Sequence, residues 1–195
     1  MPPPLDQRPL LVVVAGPNGA GKSTFYRTQI APTGLRFLNA DNLAAELKCD
    51  SYTAARLVEV YRKKLVEEKE SFVFETVLSD PVGDKVDFLQ KAAESGYEVV
   101  MFFIGLEDSE MSEERVALRV NRGGHDVPEE KIHSRFPRTM INLRRSIEKL
   151  PWVLVYDNSD FDQPYRRIAT FHNGSLESRL PPWPKWLLEA APGGG

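Results

Sequence analysis

The run "LLVVVAGPNGAGKST", Leu10 to Thr24, decides the fold. Its first part, Leu10 to Ala15, is continuously apolar and rich in β-branched residues, the pattern of a parallel strand buried on both faces. Gly16 to Ser23 then fits G-x-x-x-x-G-K-[ST] at every position. Glycines at those places admit positive φ, so successive backbone N–H groups can turn inward around an anion. Gly21 leads into a helix whose N-terminus faces the same anion. Gly16, Pro17, Asn18, Gly19, Ala20, Gly21 and Thr24 are therefore expected to cradle the phosphates of a nucleoside triphosphate. Lys22 would reach the β- and γ-phosphates, and the Ser23 hydroxyl would hold Mg²⁺.

Beyond the cradle, strands and helices alternate. "LRFLNAD" (Leu35–Asp41), "SFVFETVLS" (from Ser71), "YEVVMFFIG" (from Tyr97) and "WVLVYDNS" (from Trp152) read as four further strands. Helical spacing fills the segments from Tyr52 to Glu70, Pro81 to Glu94, Ser109 to Val120 and Glu129 to Leu150. This alternation predicts a doubly wound α/β fold, a mainly parallel five-stranded sheet of the P-loop kinase type carrying a helical lid. One domain is expected over residues 1–195, with its core at about 10–160, the lid at about 115–138, and a tail rich in Pro and Trp at about 172–195. The terminal glycines are expected to be disordered.

Composition narrows the function classes. A net charge of −3 over 195 residues argues against a dedicated nucleic-acid binder. The lone Cys49 excludes an intrachain disulfide and fits a reducing cytoplasm. No apolar stretch is long enough to span a bilayer, and "MPPPLDQRPL" lacks the basic start and apolar run of a secretory leader. A GTPase would carry N-K-x-D and D-x-x-G, and a transporter-type ATPase L-S-G-G-Q; all three are missing.

In open α/β sheets the ligand crevice lies beyond the carboxyl ends of the strands. Asn39 and Asp41, Glu75 and Thr76, and Asp157 to Ser159 all fall there. Asp41 is either a general base for an acceptor hydroxyl or the N-cap of a helix starting at Asn42. Glu75 either accepts substrate hydroxyls, holds a metal-bound water, or is simply a solvated strand end. Asn158 lies either near the nucleotide base or in a plain turn.

The lid is carried by "RVNRGGHDVPEEKIHSRF", Arg119 to Phe136. Arg115, Arg119 and Arg122 are spaced by four and three, so they share one helical face, and Arg135 lies on the next helix. Gly123 and Gly124 would hinge the pair, and Pro128 suits the first turn of the second helix. Closure would bring guanidinium groups to a transferring phosphoryl. The alternative is a solvated helix pair neutralised by Glu113, Glu114, Glu129 and Glu130.

With these residues in place the chain resembles the zeta toxin family of P-loop kinases. The likeness rests on "VVAGPNGAGKST", "FLNAD", "FVFETVLS", "GYEVVMFFI", "RVNRGGHDVPEEKIHSRFPRTMINL" and "VYDNS", in that order. The resemblance implies ATP- and Mg²⁺-dependent phosphorylation of a hydroxyl on a UDP-N-acetylamino sugar such as UDP-N-acetylglucosamine. It makes Lys22 a phosphate-binding group and Asp41 the acceptor base; from the lid's own spacing, Arg119, Arg122 and Arg135 are expected to be catalytic, and Arg115 and Asn158 are expected at the nucleotide. Asn39, Asp41, Glu75, Thr76 and His125 fall to the substrate, Ser23 to the metal. It also leaves an antitoxin protein open as partner, while charge and hydropathy give no expectation of nucleic acid or membrane. The "GGHDVP" run departs from the lid of the large toxins, which leaves other hydroxylated metabolites or antibiotics open as acceptors. A switch protein that binds ATP without acting as a kinase stays open too.

Overall fold

A computed structural model describes residues 5–191. The expected disorder of the terminal glycines falls outside them. Seven strands form one sheet in the order β2-β3-β1-β4-β5-β6-β7. The strands β1 (Leu10–Ala15), β2 (Arg36–Leu38), β3 (Phe72–Thr76), β4 (Glu98–Gly105) and β5 (Trp152–Asp157) run parallel. These are the five strands expected from the sequence.

Two further strands were not expected. β6 (Arg166–His172) and β7 (Ser175–Arg179) extend the sheet antiparallel. Asn173 and Gly174, both at positive φ, make the two-residue turn between them. An Asn-Gly pair between β-prone runs is a strong hairpin signal, and it lies within the stretch expected to be tail. The chain beyond the hairpin is also ordered. α7 (Lys185–Ala190) buries Trp186 and Leu187 against the sheet, and Trp183 Nε1 donates to the Ile168 carbonyl at 2.9 Å. The two tail tryptophans thus pack on the body.

Side chains alternate between the two faces of the sheet. Leu11, Val13 and Ala15 of β1 join a core with α3 (Ser51–Glu67), α4 (Asp84–Glu94), α6 (Glu129–Lys149) and α7. Leu10, Val12 and Val14 join the opposite core, with Phe25 of α1 (Lys22–Phe25) and Met111 of α5 (Ser109–Val120). α1 widens into a π-type turn over Tyr26–Ile30. Hydrophobes on both faces make β1 the centre of the sheet. Because β3 and β4 flank it on opposite sides, the connections diverge there and open the crevice that the phosphate loop enters.

α2 (Ala40–Leu47) begins two residues earlier than an Asp41 cap would require. Asn39 is the N-cap, its side chain accepting from Asn42 N at 3.0 Å, and Asp41 is the second helical residue. The lid turn has a specific geometry too. Gly124 N donates to Arg119 O and Gly123 N to Val120 O, a Schellman closure of α5 with Gly123 at φ 81°. Pro128 stands just before α6 rather than inside its first turn.

Candidate active site

The phosphate loop leaves β1 tightly packed. A Cβ on Gly16 would lie 2.0 Å from the Ile104 carbonyl oxygen of β4, and one on Gly21, at φ 85°, 2.6 Å from the Tyr165 hydroxyl. No side chain fits at either place. Three side chains from elsewhere fix the loop through its carbonyls. Ser112 on α5 donates to Asn18 O, Asn158 Nδ2 donates to Ala20 O at 3.0 Å, and Tyr165 donates to Gly21 O at 2.9 Å. Carbonyls held outward leave the N–H groups of the loop for an anion.

Lys22 is buried and its Nζ donates to Pro17 O at 2.9 Å. Burial lowers its pKa; Glu75 and Asp41 oppose that, whereas Arg119 and Arg135 reinforce it. The lysine therefore stands where four of the other expected site charges converge. Beside it, Ser23 Oγ donates to Glu75 Oε2 at 2.8 Å, and Asn39 Nδ2 donates to the same oxygen at 3.3 Å. A hydroxyl and a carboxylate in contact at the mouth of a phosphate loop are hard oxygen donors of the kind Mg²⁺ takes. The residues fit that ion and a triphosphate.

Two cavities meet at this point. The first, about 710 Å³, is lined by Gly19, Gly21 to Thr24, Glu75, three arginines of α5 and the turn after it, and Asn158. Arg115, Arg119 and Arg122 all reach it, in keeping with their spacing. Arg115 donates to Ser159 O at 3.0 Å with its guanidinium 4.4 Å from the Phe161 ring centroid, and burial lowers its pKa. Arg119 donates to the His125 carbonyl at 2.6 Å. Arg27, Phe161 and Tyr165 also line this cavity, and no sequence motif marks them.

The second cavity, about 330 Å³, brings together Lys22, Asn39, Asp41, Glu75, Thr76 and Arg135. Arg135 thus lines the second cavity, apart from Arg115 and Arg119 of α5 and from Arg122, which sits in the turn just past the end of that helix rather than on its face. Because Asn39 takes the capping role, the Asp41 carboxylate is left to line the cavity. Ala55, Val58 and Arg62 add one face of α3, again unforeseen. The loop after β3 forms the floor. Thr76 Oγ1 accepts from Leu78 N at 3.0 Å, with Leu78 at φ 60°. From α6, Thr139 donates to Val77 O at 2.9 Å, and Asn142 to Leu78 O and Asp80 O at 2.8 and 2.9 Å.

His125 is not brought to the site. Its ring is exposed on the lid turn and lines neither cavity. His133 pairs with Glu113 at 2.9 Å and with Ser109 at 3.0 Å, tying α6 to α5 outside both cavities.

The profile of the zeta toxin family matches residues 44–167, more than half of the chain and starting well after the phosphate loop. No curated protein sequence matches. Solved structures share the fold. One is the AvrRxo1-ORF1:AvrRxo1-ORF2 complex with sulphate ions, at TM-score 0.69 and 18% identity, covering 88% of this chain and 61% of that one. The same pair with ATP gives TM-score 0.60 at 16% identity, covering 88% and 61%. A structure from the PezAT chromosomal toxin–antitoxin system of Streptococcus pneumoniae gives TM-score 0.60 at 19% identity, covering 85% and 72%. A gluconokinase from Sinorhizobium meliloti 1021 gives 0.51 at 17%, covering 82% and 86%. The chain thus spans under two thirds of the AvrRxo1 structure it matches.

Proposed function

This chain belongs to the zeta toxin family and has a P-loop kinase fold, and from that premise we propose that it transfers the ATP γ-phosphate to a hydroxyl of a nucleotide sugar. The observation that carries the reading is the shared wall: Lys22 and Glu75 line both the phosphate cavity and the cavity that holds Asp41. A donor phosphate and an acceptor hydroxyl placed in the two cavities would meet there. A nucleotide-dependent switch has no use for the second cavity.

Each residue then has a task. The loop N–H groups and Lys22 bind the triphosphate, and Ser23 with Glu75 would hold Mg²⁺, which would supply neutralising charge to the phosphates. Asp41 takes the proton from the attacking hydroxyl, and Glu75 and Asn39 orient the acceptor. Arg119, presented by α5, Arg122, presented by the turn that follows it, and Arg135, presented by α6, compensate charge on the transferring phosphoryl. Arg115 and Asn158 position the nucleotide. The family resemblance supports a UDP-N-acetylamino sugar as acceptor, and hence a place in the cytoplasm. AvrRxo1-ORF1 was solved with ORF2, and PezAT is named as a toxin–antitoxin system, which supports an antitoxin-like protein partner here.

The test is acceptor-dependent ADP release across UDP-sugars, nucleosides and aminoglycosides. One acceptor should raise the rate, and Asp41→Asn should cut that rise by about 10²- to 10⁴-fold while ATP still binds. Release indifferent to every acceptor, or a rise that survives Asp41→Asn, would sink the assignment.

A further inference from the structure

One cation of the acceptor cavity, Arg62, is both buried and, among the described residues, without a carboxylate at salt-bridge distance. Arg62 is 9% exposed and its Nε has no hydrogen-bond partner. Its guanidinium lies 4.6 Å from the Phe74 ring centroid and 5.3 Å from that of Phe88. Neither ring supplies a counter-charge, and among the described residues no carboxylate reaches salt-bridge distance of it. Buried arginines are ordinarily paired, because an unpaired buried charge is costly. Burial accordingly lowers the Arg62 pKa, and Glu59 only partly opposes this.

Its position along the site is informative. Lys22 and Glu75 are common to the nucleotide and acceptor cavities. Arg62 and Lys85 are common to the acceptor cavity and an outer groove of about 610 Å³. The acceptor cavity therefore has a reacting end, at Lys22, Asp41 and Glu75, and a second end marked by Arg62 and Lys85. Lys85 is partly matched, 3.8 Å from Asp80 Oδ2; Arg62 is not. Over the whole cavity, Lys22, Arg62, Lys85 and Arg135 outnumber Asp41 and Glu75. An acceptor lodged here would be stabilised by an anionic group at the end opposite its reacting hydroxyl. The planar fork of arginine suits a phosphate, which takes two parallel hydrogen bonds from it.

Resting on the kinase reading above, we propose that Arg62 grips a phosphate of the acceptor, so that the acceptor is a phosphate-bearing alcohol and Arg62 is the residue that selects it. The α3 face that carries it, Ala55, Val58 and Arg62, holds the molecule between this anchor and Asp41. What is read is the phosphate next to the sugar rather than the nucleoside beyond it. A sugar 1-phosphate is then accepted as well as a nucleotide sugar, and the neutral sugar is not.

The experiment compares N-acetylglucosamine, its 1-phosphate and UDP-N-acetylglucosamine in two arms. The first is kcat/KM for acceptor-dependent ADP release. The second is calorimetric binding to protein saturated with Mg²⁺ and ADP, which occupies the phosphate loop. Both phosphorylated acceptors should exceed the neutral sugar by about 30-fold or more, as expected for a charge-assisted pair. Arg62→Met, which keeps bulk over Phe74 and Phe88, should collapse that ratio toward one. Arg62→Lys should leave it in between, and thermal unfolding checks that both variants fold. Equal use of neutral and phosphorylated sugars, a ratio unmoved in Arg62→Met, or no binding of either phosphorylated sugar would overturn the proposal. Arg62-dependent binding without any phosphoryl transfer would instead uphold it and overturn the kinase reading.

Discussion

The two cavities that meet at Lys22 are built by different means. Around the nucleotide cavity, side chains bind backbone: Ser112, Asn158 and Tyr165 each donate to a carbonyl of the phosphate loop. The loop itself tolerates no Cβ where it crosses β4 and Tyr165. Around the acceptor cavity, side chains line the space directly, drawn from α2, α3, β3, α4 and α6. Its floor is a loop hung from α6 by Thr139 and Asn142. A backbone cradle recognises what all nucleoside triphosphates share. A cavity of side chains, on the proposed reading the acceptor's, can be changed residue by residue without disturbing the cradle.

The largest effect should come from breaking the backbone side of that contrast. In Gly16→Ala a Cβ is forced against the Ile104 carbonyl, a rigid neighbour. A loss of about 3 kcal/mol is expected, which for a chain of this size is a Tm lower by about 6–12 °C, together with loss of ATP binding. A Tm within a degree of wild type would show that the loop is not so confined.

A smaller effect tests the other side. Asn142→Ala removes its hydrogen bonds to Leu78 O and Asp80 O in the loop after β3, together with the one it accepts from Arg145, and should cost about 1–3 kcal/mol. KM for the acceptor should rise while KM for ATP stays put, because no contact of Asn142 reaches the phosphate loop. Equal rises in both would mean that the two ends are not separable.

The smallest effect concerns the helix pair that spans both ends. The hydrogen bond that protonated His133 donates to the Glu113 carboxylate raises the pKa of His133 above its ordinary value. A raised folded value means that the pair stabilises in full below about pH 6.5, the unfolded histidine value, and that this is lost as pH rises through the folded value. The Tm difference between wild type and His133→Gln should therefore shrink from pH 5.5 to 8.5. A difference that grows with pH would exclude the charged pair.

The same contrast explains what could be read from the sequence. A phosphate loop needs glycines at fixed spacing, so its residues stand out; the spacing of Arg115, Arg119 and Arg122 also marks one cavity, although α5 ends before Arg122 and leaves it in the turn. Asp41, Glu75 and Thr76 are visible because strand ends share one edge of the sheet. Tyr165 is not, since it binds Gly21 from 144 residues away with no pattern to mark it. Arg62 and Asn142 are hidden likewise, placed by how α3 and α6 cross the sheet rather than by local chemistry. His125 shows the opposite error: it stands among arginines in sequence, but the Schellman turn faces its ring outward. The β6–β7 hairpin does have a local sign in Asn173-Gly174, masked by the prolines and tryptophans beyond it.

That hairpin also bears on how the molecule behaves in a crowded solution. Had the sheet stopped at β5, its free border would be the apolar "WVLVY" strand, an inviting template for another chain to pair with. Instead the border is β7, five residues that are all exposed and include Glu177 and Arg179. At the other border β2 is only three residues long. Short and charged margins of this kind discourage sheets from joining edge to edge, and the hairpin supplies such a margin where an apolar strand would otherwise stand.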